Sequence, residues 1–174
     1  PRAVVLLHPN IESVATPLPD LLFRLNDYSI GMQHSSNSND KLHLLIGISK
    51  SKFLNLDHTK YLALKIVRVA DRSFFPIFFS IKVNFFIRKH LKNQQRLILI
   101  AGDLRASLIP LFFSKLMLGS RARTQISIHG KFLMDKQRLS WKPFLINQTI
   151  KFAIQKSDSI RVVSNHLASE IEKI

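Results

Sequence analysis

Apolar runs of strand length recur along this chain, separated by segments of helical length, and that rhythm leaves few ways to fold. "AVVLLHP" (Ala3 to Pro9) is a continuous apolar run closed by a proline, the pattern of a strand buried on both faces. "LHLLIGIS" (Leu42 to Ser49), "RLILIAGD", "TQISIHG" and "SIRVVS" read as further strands, "LALKIVRVA" (Leu62 to Ala70) contains one more, and "YSIGMQ" is read as another. "PLPDLLFRLN" (Pro17 to Asn26) has a proline in its first turn and a leucine stripe, the pattern of a short helix. "HSSNSND" (His34 to Asp40) is a turn-forming loop. Helices are expected from Pro76 to Leu91, in "RASLIPLFFSKLMLG" with Pro110 bending it and Gly119 closing it, and in "SWKPFLINQTIKFAIQK". Ser164 and Asn165 offer capping side chains to a last helix, "HLASEIEKI". Strands alternating with helices predict βαβ crossovers and a doubly wound, mostly parallel α/β sheet, with residues 1–174 in a single domain.

Charge and composition narrow the partners. The 26 Lys and Arg against 11 Asp and Glu give a net charge of +15, a field that attracts phosphates, anionic lipid or nucleic acid. With no cysteine, a disulfide framework and a thiolate metal site are both excluded. Lys82 and Arg88 interrupt the Phe-rich "FFPIFFSIKVNFFIRKH", so no run reaches the roughly 18 apolar residues of a membrane span. The chain starts at Pro1 and ends at Ile174 inside a helical pattern, and is expected to be a piece of something longer.

Several chemistries lack their motifs. No G-x-G-x-x-G follows the first strand, no G-x-x-x-x-G-K-[ST] and no G-x-S-x-G occur, and the histidines lack metal-ligand spacing. Neither a resident cofactor nor a metal site is expected, and a self-contained hydrolase is not supported. In open α/β sheets ligands bind beyond the carboxyl ends of the strands. Here those ends carry His8 and Asn10, Gly102 and Asp103, then His129, Gly130 and Lys131, and finally Ser164 and Asn165. His129 is thereby expected at the mouth of a crevice. Bland roles stand beside that one: Gly130 also suits a turn with positive φ, and Asp103, Ser164 and Asn165 suit helix caps.

From about Arg96 to Lys173 the order of elements, with the strand-end "HG" of "SIHGK" and the segment "SDSIRVVSNHL" (Ser157 to Leu167), resembles the N-terminal domain of GT-B glycosyltransferases of the retaining, glycogen-synthase-like and mannosyltransferase-like group. The resemblance covers a little under half the chain. It implies a Rossmann-like, acceptor-side domain facing a second domain that grips the nucleotide-sugar donor across a cleft. It also implies that His129 lies near the transferred sugar as the catalytic candidate, donating a hydrogen bond or stabilising charge on the departing nucleotide. Gly130, Lys131, Asp103, His8, Asn10 and Ser164 are then the acceptor-side or cleft-binding candidates. Two features depart from the pattern. No glycine lies between Pro1 and Ile30, where the family has a glycine-rich turn, and the chain ends where the donor domain is expected to begin.

On this reading the acceptor is a glycan or a lipid-linked sugar, and the protein works in the cytoplasm, peripheral to the inner face of a membrane. The mixture of phenylalanines with Lys82, Arg88, Lys89, Lys92 and Arg96 suits a helix resting on an anionic bilayer, although buried phenylalanines have the same composition. Nucleic acid is the rival partner. Against it, nearly all the aromatic residues are Phe within apolar runs, where a base-stacking platform exposes aromatics beside Arg and Lys. A non-catalytic scaffold domain is the third reading.

Overall fold

The computed structural model of the chain describes residues 2–13, 17–36, 42–71, 76–103, 106–128, 141–162 and 164–173. Strands β1 (Arg2–His8), β2 (Leu42–Gly47), β3 (Leu64–Ala70), β4 (Arg96–Ala101), β5 (Ala122–Ile128) and β6 (Ser159–Val162) form one sheet in the order β3-β2-β1-β4-β5-β6. Every neighbouring pair is parallel. The fold is a doubly wound, Rossmann-like α/β sheet, as the strand–helix rhythm predicts.

The apolar run of β1 is explained by its place at the centre of the sheet. Ala3, Val5 and Leu7 enter one core layer, and Val4 and Leu6 enter the other. The first layer is closed by α3 (Pro76–His90), α4 (Leu108–Leu118), α5 (Trp141–Lys156) and α6 (Asn165–Ile171), through residues that include Phe79, Val83, Leu111, Ile150 and Leu167. The second is closed by α1 (Leu18–Ser36) and the short α2 (Lys50–Leu54). A strand covered on both sides has no solvent face, so its residues need not alternate with polar ones.

The expected strand "YSIGMQ" is instead the second half of α1, which runs on past Asn26. Leu18, Leu21, Leu22, Leu25 and Met32 pack on the second layer at helical spacing, while Tyr28 and Ile30 are exposed. Ser29 holds that half in register: its buried hydroxyl donates to the Ala63 carbonyl at 2.6 Å and accepts from the Leu42 N–H at 3.1 Å. The first three residues of "HSSNSND" belong to the same helix, and the rest lie outside the described residues.

Helix α4 starts at Leu108, later than expected, which puts Pro110 in its first turn. A missing N–H costs nothing there, because the first turn has no intrahelical acceptor to lose. Gly119 follows the helix with φ +59, a conformation that favours glycine. On the neighbouring helix, Asn84 donates to the Ser80 carbonyl at 2.8 Å and to Ser114 Oγ at 3.2 Å, tying α3 to α4 through a buried polar contact.

The entry to β6 is clasped to β5 by Asp158. Its Oδ2 accepts from the Thr124 N–H at 2.7 Å, from Thr124 Oγ1 at 2.9 Å and from Lys115 Nζ at 3.2 Å, and its Oδ1 accepts from Arg123 at 3.1 Å. Burial alone would raise this carboxyl. The Thr124 N–H and hydroxyl and the Lys115 ammonium outweigh it and hold the group at about 2.

Candidate strand-end site

The order β3-β2-β1-β4-β5-β6 reverses direction between β1 and β4, which is where a doubly wound sheet opens a crevice at its carboxyl edge. Three features build that place here. β1 delivers His8, with Asn10 two residues on. β4 ends at Ala101, in register with Leu7, and continues into Gly102 and Asp103. Helix α4 then begins after Ser107.

The backbones are unusually close. A Cβ at Gly102 would lie 2.8 Å from His8 Cδ2 and 2.9 Å from the Leu7 carbonyl oxygen, so only glycine lets β4 pass the exit of β1 undisturbed. The Gly102 N–H donates to that same Leu7 carbonyl at 2.9 Å. On the other flank, a Cβ at Gly47 would meet the Pro9 carbonyl oxygen at 1.7 Å. Glycines at the ends of both neighbouring strands therefore admit the exit of β1.

Ser107, which the sequence reading did not single out, is the fastener of this site. It stands at the N-cap of α4, yet its buried hydroxyl turns back to donate to the Leu7 carbonyl at 2.8 Å and to accept from the Asp103 N–H at 3.2 Å. Asp103 is not the helix cap. Its carbonyl accepts from the Ser107 N–H at 2.9 Å, and its carboxylate closes the turn ahead of the helix, accepting from the Ala106 N–H at 3.5 Å. The sequence reading places Ser107 inside the expected helix, and its partner, a carbonyl one hundred residues earlier, is outside any local pattern.

His8 is 2 % exposed, and its Nδ1 is buried without a hydrogen-bond partner among the described residues. Burial pushes the imidazole below its usual 6.5, and the nearby Asp103 carboxylate offsets only part of that effect. The ring is therefore neutral near pH 7. A neutral imidazole at the switch point is suited to hydrogen bonding rather than to an ion pair with a phosphate. Asn10 sits partly buried in the turn that leaves β1.

Ser164, at the exit of β6, has a structural role: its Oγ accepts from the Leu167 N–H at 3.3 Å and caps α6. It lies three strands away from β1, roughly 14 Å across the sheet at normal strand spacing. His129, Gly130 and Lys131 follow the last residue of β5 directly and lie outside the described residues. The structure thus brings His8, Gly102 and Asp103 together, leaves Asn10 in the turn after β1 and sets Ser164 apart. Among the described residues no cluster of three or more His, Asp or Glu side chains could hold a metal ion. No protein-family model matches this chain, and no curated protein matches it.

Proposed function

We propose that this chain is the acceptor-side, Rossmann-like half of a retaining glycosyltransferase. On this proposal a second domain of the complete protein supplies the nucleotide-sugar donor site. The supporting observation is the all-parallel order β3-β2-β1-β4-β5-β6, which sets the exits of β1, β4 and β5 side by side at the switch point. The "SDSIRVVSNHL" segment that resembles the family forms β6 and the start of α6 beside them. The acceptor is a glycan or lipid-linked sugar handled at the cytoplasmic face of a membrane, and the +15 charge suits an acceptor carrying phosphates or other anionic groups.

The residues divide the work by their chemistry. His129, directly after β5, donates a hydrogen bond to the transferred sugar or to the charge that develops on the leaving nucleotide. His8, neutral and buried, and Asp103 orient acceptor hydroxyls at the β1/β4 exits. Gly130 permits close approach of the backbone, and Lys131 and Asn10 contribute at the rim. Turnover of labelled nucleotide-sugars by the complete protein tests the assignment. His129→Ala should lower kcat by roughly a hundredfold, the usual scale for one transition-state donor, with an unchanged thermal midpoint. Unchanged turnover in that variant removes His129 from the site.

A further inference from the structure

The layer of helices that covers the first core turns an apolar and cationic surface outward, and α3 is its clearest part. Phe79, Val83 and Ile87 face the sheet. The opposite side of the same helix exposes Ile77 at 56 %, Phe78 at 65 %, Ile81 at 51 % and Phe85 at 67 %, with Lys82, Arg88 and Lys89 exposed among them. Four large apolar side chains on one outward helical face are more than a solvated helix needs, and a patch of this kind on a folded surface marks a contact. Core packing, the ordinary explanation for phenylalanine-rich helices, accounts for Phe79 and not for Phe78 or Phe85.

The charge on α3 has one sign. From Arg72 to Gly102 the chain contains six Lys or Arg and no Asp or Glu. Among the described residues no carboxylate pairs with Lys82, Arg88 or Lys89. Beside α3 lies an open groove of about 460 Å³ lined by Val67, Val69, Ile81, Phe85 and Phe86, between the helix and β3 at the edge of the sheet. Lys82, Lys89 and His90 line it too, while Arg68 is engaged by Asp71.

We infer that the outward face of α3 and the groove beside it form a docking surface for an anionic lipid bilayer. Phe78, Ile81 and Phe85 enter the interface, and Lys82, Arg88 and Lys89 pair with the headgroups. Charge complementarity calls for an anionic partner, and the exposed Ile77 and Ile81, which give a base nothing to stack on, favour a bilayer over nucleic acid. An amphipathic helix with aromatic and aliphatic residues on the same face as cations, and no carboxylate among them, meets the two demands of an anionic membrane surface at once. Among the described residues no helix is long and apolar enough to cross a membrane, so the contact is peripheral. It stands independently of the glycosyl-transfer reading, since it uses none of the strand-end residues.

Cosedimentation with vesicles tests the inference. The protein should bind phosphatidylcholine vesicles containing phosphatidylglycerol, bind pure phosphatidylcholine much more weakly, and lose affinity as salt rises. Phe78→Ser/Phe85→Ser and Lys82→Glu/Lys89→Glu should each weaken binding at least about tenfold, with the fold checked by circular dichroism, because all four positions are exposed. Leu54→Ser/Leu62→Ser, equally exposed but remote from α3, should bind as the parent does. Binding that survives either α3 double variant overturns the inference. So does self-association that the Phe variants abolish while vesicles are ignored, which assigns the face to a second copy.

Discussion

Replacing Asp158 by asparagine removes one charge at the clasp between β5 and β6 and changes almost nothing in shape. A carboxyl held at about 2 in the fold and near 3.8 when unfolded corresponds to about 2 kcal/mol of stability at neutral pH. Little of that is lost to solvent screening, because the side chain is only 21 % exposed. The folded-state value is depressed, so the contribution is complete above the ordinary carboxylate range and disappears as pH falls towards about 2. Asp158→Asn should therefore lower the stability by about 2 kcal/mol, or the thermal midpoint by about 4–8 °C for a chain of this size. Urea denaturation across a pH series reads both quantities. The gap between parent and variant should be full at neutral pH and narrow steadily through the acid range. Arg123→Gln, which removes only the exposed partner, should cost less than about 1 kcal/mol. A gap that stays constant as the carboxylate is protonated excludes charge as its cause and leaves packing to hold the clasp.

Further predictions follow from close contacts and buried partners. Gly47→Ala should destabilise by about 3 kcal/mol or more in urea denaturation, since its Cβ meets backbone rather than a movable side chain, whereas Gly31→Ala, with open space around it in α1, should stabilise by about 0.5–1 kcal/mol. Ser29→Ala should cost about 1–3 kcal/mol in the same assay, because it strips the buried Ala63 carbonyl and Leu42 N–H of a shared partner. In an NMR titration the His8 imidazole should protonate below 6.5, and stability should fall as pH drops beneath that value, because the unfolded chain takes up the proton first. A His8 midpoint at or above 6.5 contradicts the buried, neutral ring.

The fold was legible because the strands announce themselves. β1, β2 and β4 are apolar along nearly their whole length, which only a sheet covered on both sides demands, and the helical segments between them leave a parallel arrangement. The misreading of "YSIGMQ" has a physical source. Tyr28, Ile30 and Met32 alternate as a strand would, but the buried position is Ser29, a polar residue stabilised by two long-range hydrogen bonds that no local pattern reveals. At the site, His8 and Asp103 were legible from their strand-end positions. Ser107 and Gly47 were not, since their roles depend on the approach of β1, which becomes visible only when the sheet order is known. Two residues of the family-like segment also have structural roles: Asp158 clasps β6 to β5 and Ser164 caps α6. The resemblance in that segment therefore speaks for architecture more than for chemistry.

The proposed function is a sugar transfer that retains configuration, and the anomeric proton signal of the product reads it directly. The complete protein would be supplied with nucleotide-sugars and with glycan and lipid-linked acceptors, and the transferred sugar examined by NMR. A new glycosidic linkage in the donor's own anomeric configuration is expected. An inverted linkage, or no transfer from any donor to any acceptor, rules the proposed function out.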